Sequence, residues 1–217
     1  DAIFESISGL TTTGATVFTN LEDLPKSILY YRQQLQWLGG IGIVVIAVSI
    51  LPMIGVGGMQ IYKAETPGPI KDTKLTPRIA ETANALFKIY VFLTVVCAIA
   101  YWVAGMSWFD ALSHSFSTIS IGGFSTYDES LGHFDNNAVL TIASIFMVVS
   151  GLNFALHYTA WHARSIQSYI SDPEARLFVL VILFGILVTT YFLYTTASMP
   201  NEEILFVGVF QLISILT

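Results

Sequence analysis

Charge is what this sequence lacks most. Asp, Glu, Lys and Arg make up only 11% of its 217 residues, while 54% are hydrophobic. A soluble domain carries about 25% charged residues to cover its surface, so the deficit excludes a water-soluble globular protein and points to the membrane class. Basic residues are the scarcest, nine against fifteen acidic ones for a net charge of −6. They form no run able to neutralise phosphates, which excludes a nucleic-acid partner. Cysteine occurs once, as Cys97 in an apolar run. A single thiol excludes an internal disulfide framework and a thiolate metal site, and Cys97 reads as a small buried hydrophobe. No signal peptide is present; Asp1 opens directly into an amphipathic segment, as expected of a chain truncated at its start. What the chain has in abundance is apolar runs, at a mean hydropathy of +0.68.

About 20 mainly apolar residues are needed for a helix to cross the hydrocarbon core. Four stretches qualify: Leu35 to Val56, Leu86 to Ala104, Val139 to Ala160 and Leu177 to Tyr194. Between the first two lies "YKAETPGPIKDTKLTPR", with Lys63, Lys71, Lys74 and Arg78, and Lys88 stands just inside the second. Arg164 and Arg176 lie between the third and fourth, whereas the loops 105–137 and 197–203 hold no Lys or Arg. Seven of nine basic residues thus share one side, and the positive-inside rule makes that side cytoplasmic.

Two further segments, Asp1 to Thr13 and Trp108 to Ile121, are too short to span, and each ends in a Thr/Ser/Gly cluster. By length alone, a re-entrant helix and a helix lying on the membrane surface fit equally. An internal repeat separates them. "DAIFESISGLTTTGATVF" (1–18) aligns without a gap on "DALSHSFSTISIGGFSTY" (110–127), pairing Asp1 with Asp110, Ser8 with Ser117 and Gly14 with Gly123. With two residues inserted, "QWLGGIGI" (36–43) falls on "MVVSGLNF" (147–154), and "FQLISILT" (210–217) matches "FESISGLT" (4–11). The unit is span, short helix, polar loop, span, repeated in one orientation, as in many transporters and channels. A repeat that keeps its polar loop and its glycine favours the re-entrant reading.

Non-helical backbone at membrane depth is tolerated only where it is buried in protein or lines a watery cavity. Its carbonyl oxygens can replace the hydration shell of a cation. A short helix entering from outside points its C-terminal end inward, and that end carries about half a negative charge. Glycine at 14 or 123 permits φ > 0 and so an inward-turned carbonyl, and threonine hydroxyls can secure the loop or add oxygens. Gly14 and Gly123 as mere helix caps are the competing reading. A dehydrated monovalent cation suits every part.

On these residues the chain resembles the Trk/Ktr/HKT superfamily of potassium transporters. The run "RQQLQWLGGIGIVVIAVSILPM" (32–53) and the loop "TTTGATVF" are similar to its bacterial TrkH branch. The resemblance implies an all-α integral membrane protein of tandem, parallel membrane–pore helix–membrane repeats, potassium-channel-like, of which this chain covers about half of a four-repeat pore. It implies a selectivity filter at Thr12, Thr13, Gly14 and Ala15 and at Ile121, Gly122, Gly123 and Phe124. Potassium would sit at Thr12, Thr13, Gly14, Ile121, Gly122 and Gly123. Sodium-preferring plant members carry serine at the first filter glycine, so Gly14 favours potassium.

The expected organisation is repeat 1 from its pore helix over 1–62, a cytoplasmic linker over 63–83, a complete repeat 2 over 84–166, and the start of repeat 3 over 167–217. Filters three and four and a gating loop would lie beyond Thr217, so this piece alone is not expected to conduct. The resemblance further implies a multi-pass protein of the bacterial inner membrane with its loops facing outside. It implies membrane lipid around the spans, a homodimer, and a cytosolic nucleotide-binding regulatory subunit on the linker face. No enzymatic activity and no covalent cofactor are expected, since no His/Asp/Ser or metal-ligand set lies within the spans. A secondary transporter that binds a small solute between broken midplane helices is the alternative; it requires helix N-termini at the substrate.

Other polar residues are less decided. Asp1 with Glu5, and Asp110 with His114, share helix faces and suit either an acidic outer vestibule or ordinary helix starts. Gly39, Gly40 and Gly42 suit close packing of the first span against a pore loop. Asn153, mid-span, is expected to line the cavity below the filter or bond a neighbouring loop. Arg32 either snorkels outward or steadies a pore loop. His157 and His162 read as end-of-span polar residues.

Overall fold

The computed structural model describes residues 1–42, 75–196 and 201–217, and among these the chain is helical without strands. The helices are α1 (Ala2–Leu10), α2 (26–42), α3 (Leu75–Val103), α4 (Trp108–Ile119), α5 (Asn137–Gly151), α6 (Phe154–Ala163), α7 (Gln167–Ser171), α8 (Pro173–Thr196) and α9 (Asn201–Leu216). Short 3-10 turns at Leu21–Asp23 and Ser130–Phe134 follow the two polar loops. Among the described residues, the segments Ala83–Val103 and Pro173–Thr196 are long and apolar enough to cross a membrane. Of the expected first span, Leu35 to Val56, only the part up to Gly42 lies within the described residues, as helix. The expected linker is described only from Leu75, and there it is already the first turn of α3. Pro77 is tolerated in that turn, where the missing N–H has no helical partner to lose.

The expected third span is not one helix. It breaks at Leu152 and Asn153 into α5 and α6, which meet at 90°. Gly151 ends α5, Leu152 is extended (φ −76, ψ 151), and the Asn153 side chain accepts from the Ala155 N–H at 2.9 Å. An Asn cap satisfies the orphan donors of a new helix start, so the sequence "SGLN" ends one helix and begins another. His157 fastens the corner, its ring nitrogens lying 2.9 Å from the Val149 carbonyl and 2.8 Å from the Tyr169 hydroxyl.

α4 packs along α3 on one side and against α5 on the other, and α9 packs on α5 and α8. Ser107 starts α4: its hydroxyl accepts from the Asp110 N–H and donates to the Asp110 carboxylate at 2.6 Å. The helix is then buried nearly all round, including Asp110, Ser113, His114, Ser115, Ser117 and Thr118. A surface-lying helix would show one wet face, so the re-entrant reading describes α4. The α3 residues Tyr90, Cys97 and Tyr101 fill the seam, and Cys97 is the buried hydrophobe expected. α1 is inside-out by comparison: Glu5, Ser8 and Gly9 are buried, while Ile3, Ile7 and Leu10 are exposed.

Glycines set how closely α2 approaches both short helices. A Cβ at Gly39 would run into the Leu10 carbonyl, and one at Gly40 would lie 2.7 Å from the Tyr90 hydroxyl and 2.8 Å from Ser120 Cβ. Among the described residues, none lies within 4 Å of a Cβ at Gly42. Two of the three glycines therefore do what close helix packing needs.

Candidate functional site

α1 and α4 end in the same way. At the end of α1, the Thr13 N–H reaches the Ser8 carbonyl (2.9 Å) and the Thr12 N–H reaches Gly9 (3.0 Å). At the end of α4, the Gly122 N–H reaches Ser117 (2.8 Å) and the Ile121 N–H reaches Thr118 (3.2 Å). These paired bonds are the Schellman arrangement, which places one left-handed residue just past the helix. That residue is Thr12 (φ 54) in one loop and Ile121 (φ 53) in the other. β-branched residues almost never adopt this conformation, and doing so twice at matched positions marks functional strain. The glycines come two residues later, Gly14 at φ 75 and Gly123 at φ 81. They do not cap the helices; Thr12 and Ile121 do.

Left-handed residues at every second position break the regular backbone of a strand in both loops. Among the described residues, no donor reaches the carbonyls of Thr12, Thr13, Gly14, Ile121 or Gly123. Three neighbouring carbonyls are held instead. Ser8 Oγ donates to Ala15 (2.6 Å), Gln36 Nε2 to Gly122 (2.7 Å) and Arg32 to Ser125 (3.3 Å). The two loops touch, the Gly14 Cα packing on the Gly122 carbonyl so closely that no Cβ would fit. With Gln211 and Thr217 of α9 and its end, they border one cavity of about 780 Å³.

Behind the first loop, Glu5 and Arg32 form a buried ion pair, Nε to Oε2 at 2.9 Å, with side chains only 4% and 3% exposed. Oε1 of Glu5 accepts from the Thr16 hydroxyl (2.6 Å) and the Val17 N–H (2.7 Å), and Arg32 also donates to Thr16 (3.0 Å). The guanidinium lies 4.3 Å from the centre of the Phe124 ring. Arg32 therefore steadies the two loops and does not snorkel. Glu5 is no vestibule acid, because its carboxylate is spent inside the protein. The repeat substitutes histidine here: His114 stands where Glu5 does and meets Ser125, the counterpart of Thr16, at 2.9 Å. Asp110 likewise faces inward, accepting from Thr126 (3.0 Å) and Tyr127 (3.3 Å). Burial and the adjacent Asp110 charge push the Tyr127 hydroxyl above its ordinary range, which keeps it a donor. Asp128 ties the two outer loops together by accepting from the Asn20 and Leu21 N–H groups at 2.7 and 3.1 Å.

Asn153 is not with the loops. It caps α6, exposed, beside a small cavity bordered by Asp172, Glu174 and Phe178. A mid-span position was inferred from an apolar run that is in fact broken there. Gln36, by contrast, drew no expectation from sequence, since its partners are 86 and 88 residues away.

The arrangement has relatives. The family model for TrkH, described as a cation transport protein, matches residues 1–213. The Trk system potassium uptake protein TrkH of Halomonas elongata is 57% identical over all 217 residues, and that of Escherichia coli K12 is 52% identical. This chain spans 45% of the length of each. The crystal structure of the potassium transporter TrkH from Vibrio parahaemolyticus superposes with a TM-score of 0.87 at 48% identity, covering 99% of this chain and 43% of that one. The match runs the length of the chain and takes in both strained loops, and on it the chain belongs to the TrkH family of cation transport proteins.

Proposed function

We propose that this chain forms part of a potassium-uptake pore in which the loops after α1 and α4 select the ion. One observation carries the reading: two matched loops, left-handed at Thr12 and Gly14 and at Ile121 and Gly123, leave the carbonyls of these four residues without donors among the described residues, beside a shared cavity. Carbonyl oxygens so arranged replace the water around a monovalent cation, and the C-terminal ends of both helices add about half a negative charge each. The solute-transporter alternative needs helix N-termini at the site, and those of α1 and α4 lie at the far end. The ligands on this reading are the carbonyls at Thr12, Thr13, Gly14, Ile121 and Gly123. Ala15, Gly122 and Phe124 shape the loops.

The organisation follows the same reading: repeat 1 over 1–62, a linker over 63–83, repeat 2 over 84–166 and the start of repeat 3 from 167. The remaining filter loops come from sequence outside this chain. The same reading includes a multi-pass protein of the bacterial inner membrane, its loops outward, and a homodimer carrying a cytosolic nucleotide-binding subunit; relatives named as Trk system potassium uptake proteins support the membrane placement. The test is ion uptake by the full-length protein with Gly14→Ser and Gly123→Ser. Each is expected to lower the potassium-to-sodium ratio; unchanged discrimination in both would sink the filter assignment.

A further inference from the structure

Gln36 is wholly buried on α2 and uses both ends of its amide on the second loop. Nε2 donates to the Gly122 carbonyl at 2.7 Å, and Oε1 accepts from the Phe124 N–H at 3.1 Å. The loop dictates this orientation, because a flipped amide would oppose oxygen to oxygen and N–H to N–H. The two groups belong to the peptide units on either side of Gly123. A trans peptide is planar, with its N–H and C=O pointing opposite ways. Aiming the Phe124 N–H at α2 therefore turns the Gly123 carbonyl away from α2. Aiming the Gly122 carbonyl at α2 likewise turns the Gly123 N–H away.

Glycine at φ 81 has little torsional resistance of its own, so an unheld peptide here is free to rotate and present N–H in place of C=O. The fit is mutual, since a Cβ at Gly122 would run into the Gln36 amide. Arg32, one turn earlier on α2, holds a carbonyl farther along the loop, that of Ser125, at 3.3 Å. The counterpart of Gln36 in the repeat is Met147, which carries no amide.

We propose that Gln36 is a positioning residue whose amide fixes the direction of the Gly123 carbonyl and thereby sets potassium-over-sodium discrimination. The proposal rests on the reading of the loops as an ion filter. It assigns part of the filter's geometry to a side chain of the preceding repeat.

The experiment measures potassium and sodium flux through the full-length protein in liposomes at acidic and alkaline pH. The variants are Gln36→Met, Gln36→Glu and, as a control on the filter itself, Gly123→Ser. Gln36→Met keeps the volume and removes both bonds, and it should lower the potassium-to-sodium ratio about tenfold at every pH. Gln36→Glu is informative in a second way. A protonated carboxyl still donates to Gly122 and accepts from Phe124, whereas a carboxylate opposes the Gly122 oxygen. Its ratio should match the parent at acidic pH and fall as rising pH ionises the carboxyl.

A merely structural glutamine would not confer a pH-dependent ratio. If Gln36→Met fails to fold, the pH profile of Gln36→Glu decides. A parent-like ratio in Gln36→Met, with discrimination lost in Gly123→Ser, overturns the clamp and leaves the filter standing. Parent-like ratios in both overturn the filter as well. A Gln36→Glu ratio that does not move with pH also overturns the proposal.

Discussion

Replacing Glu5 by glutamine removes the only carboxylate in contact with Arg32 among the described residues. The two charges lie 2.9 Å apart with side chains 4% and 3% exposed, so water cannot take over the lost half of the pair. The new amide can still accept from Thr16 and Val17, but its NH₂ would face the Arg32 Nε–H, donor against donor. Removing one partner of a buried pair costs about 3–5 kcal/mol, most of it the uncompensated charge. Replacing both partners is often neutral, because the desolvation cost leaves with the charges. Glu5→Gln combined with Arg32→Met should therefore be more stable than Glu5→Gln alone, although it carries more changes. The assay is reversible unfolding of the full-length protein in mixed micelles, as a four-member cycle. Residues in direct contact couple by about 0.5–3 kcal/mol, and this pair belongs at the upper end. A coupling below about 0.5 kcal/mol, or a double variant less stable than Glu5→Gln, would refute the reasoning.

Two further outcomes test the packing that carries the site. Gly39→Ala should cost about 1–3 kcal/mol, because the new Cβ would run into the Leu10 carbonyl; Gly42→Ala, which meets no described residue within 4 Å, is the comparison and should cost less, both read from unfolding midpoints. His157→Phe keeps the ring but loses the bonds to Val149 and Tyr169, so it should destabilise the α5–α6 corner by about 1–3 kcal/mol, seen as faster amide exchange confined to α6 and α7.

Much of the site was legible because it is written twice. The gapless match of 1–18 with 110–127 predicts two equivalent helix-and-loop units, and the loops share their left-handed positions residue for residue. One local detail is not legible. Glycine is the usual left-handed cap, which keeps capping by Gly14 and Gly123 as a competing reading, whereas Thr12 and Ile121 take that role against their preference. The bend at Leu152 was hidden by hydropathy, which registers an apolar run and is blind to an Asn cap within it. Arg32 stayed ambiguous and Gln36 went unnoticed for one reason. Gln36 meets Gly122 and Phe124, 86 and 88 residues away, and Arg32 meets Glu5 and Ser125, 27 and 93 residues away; a single sequence carries no signal of such pairings. Glu5 stays open between a mouth acid and a helix start in the sequence, because its helix face is visible there and its partner Arg32 is not.

The most direct measurement of the central claim is where a potassium surrogate binds. Anomalous scattering from thallium or rubidium in crystals of the full-length protein should show the ion between the carbonyls of Thr12, Thr13 and Gly14 and those of Ile121 and Gly123, and the peak should fade when sodium replaces it. Strong ion density elsewhere in the protein, with none between these two loops, would contradict the account.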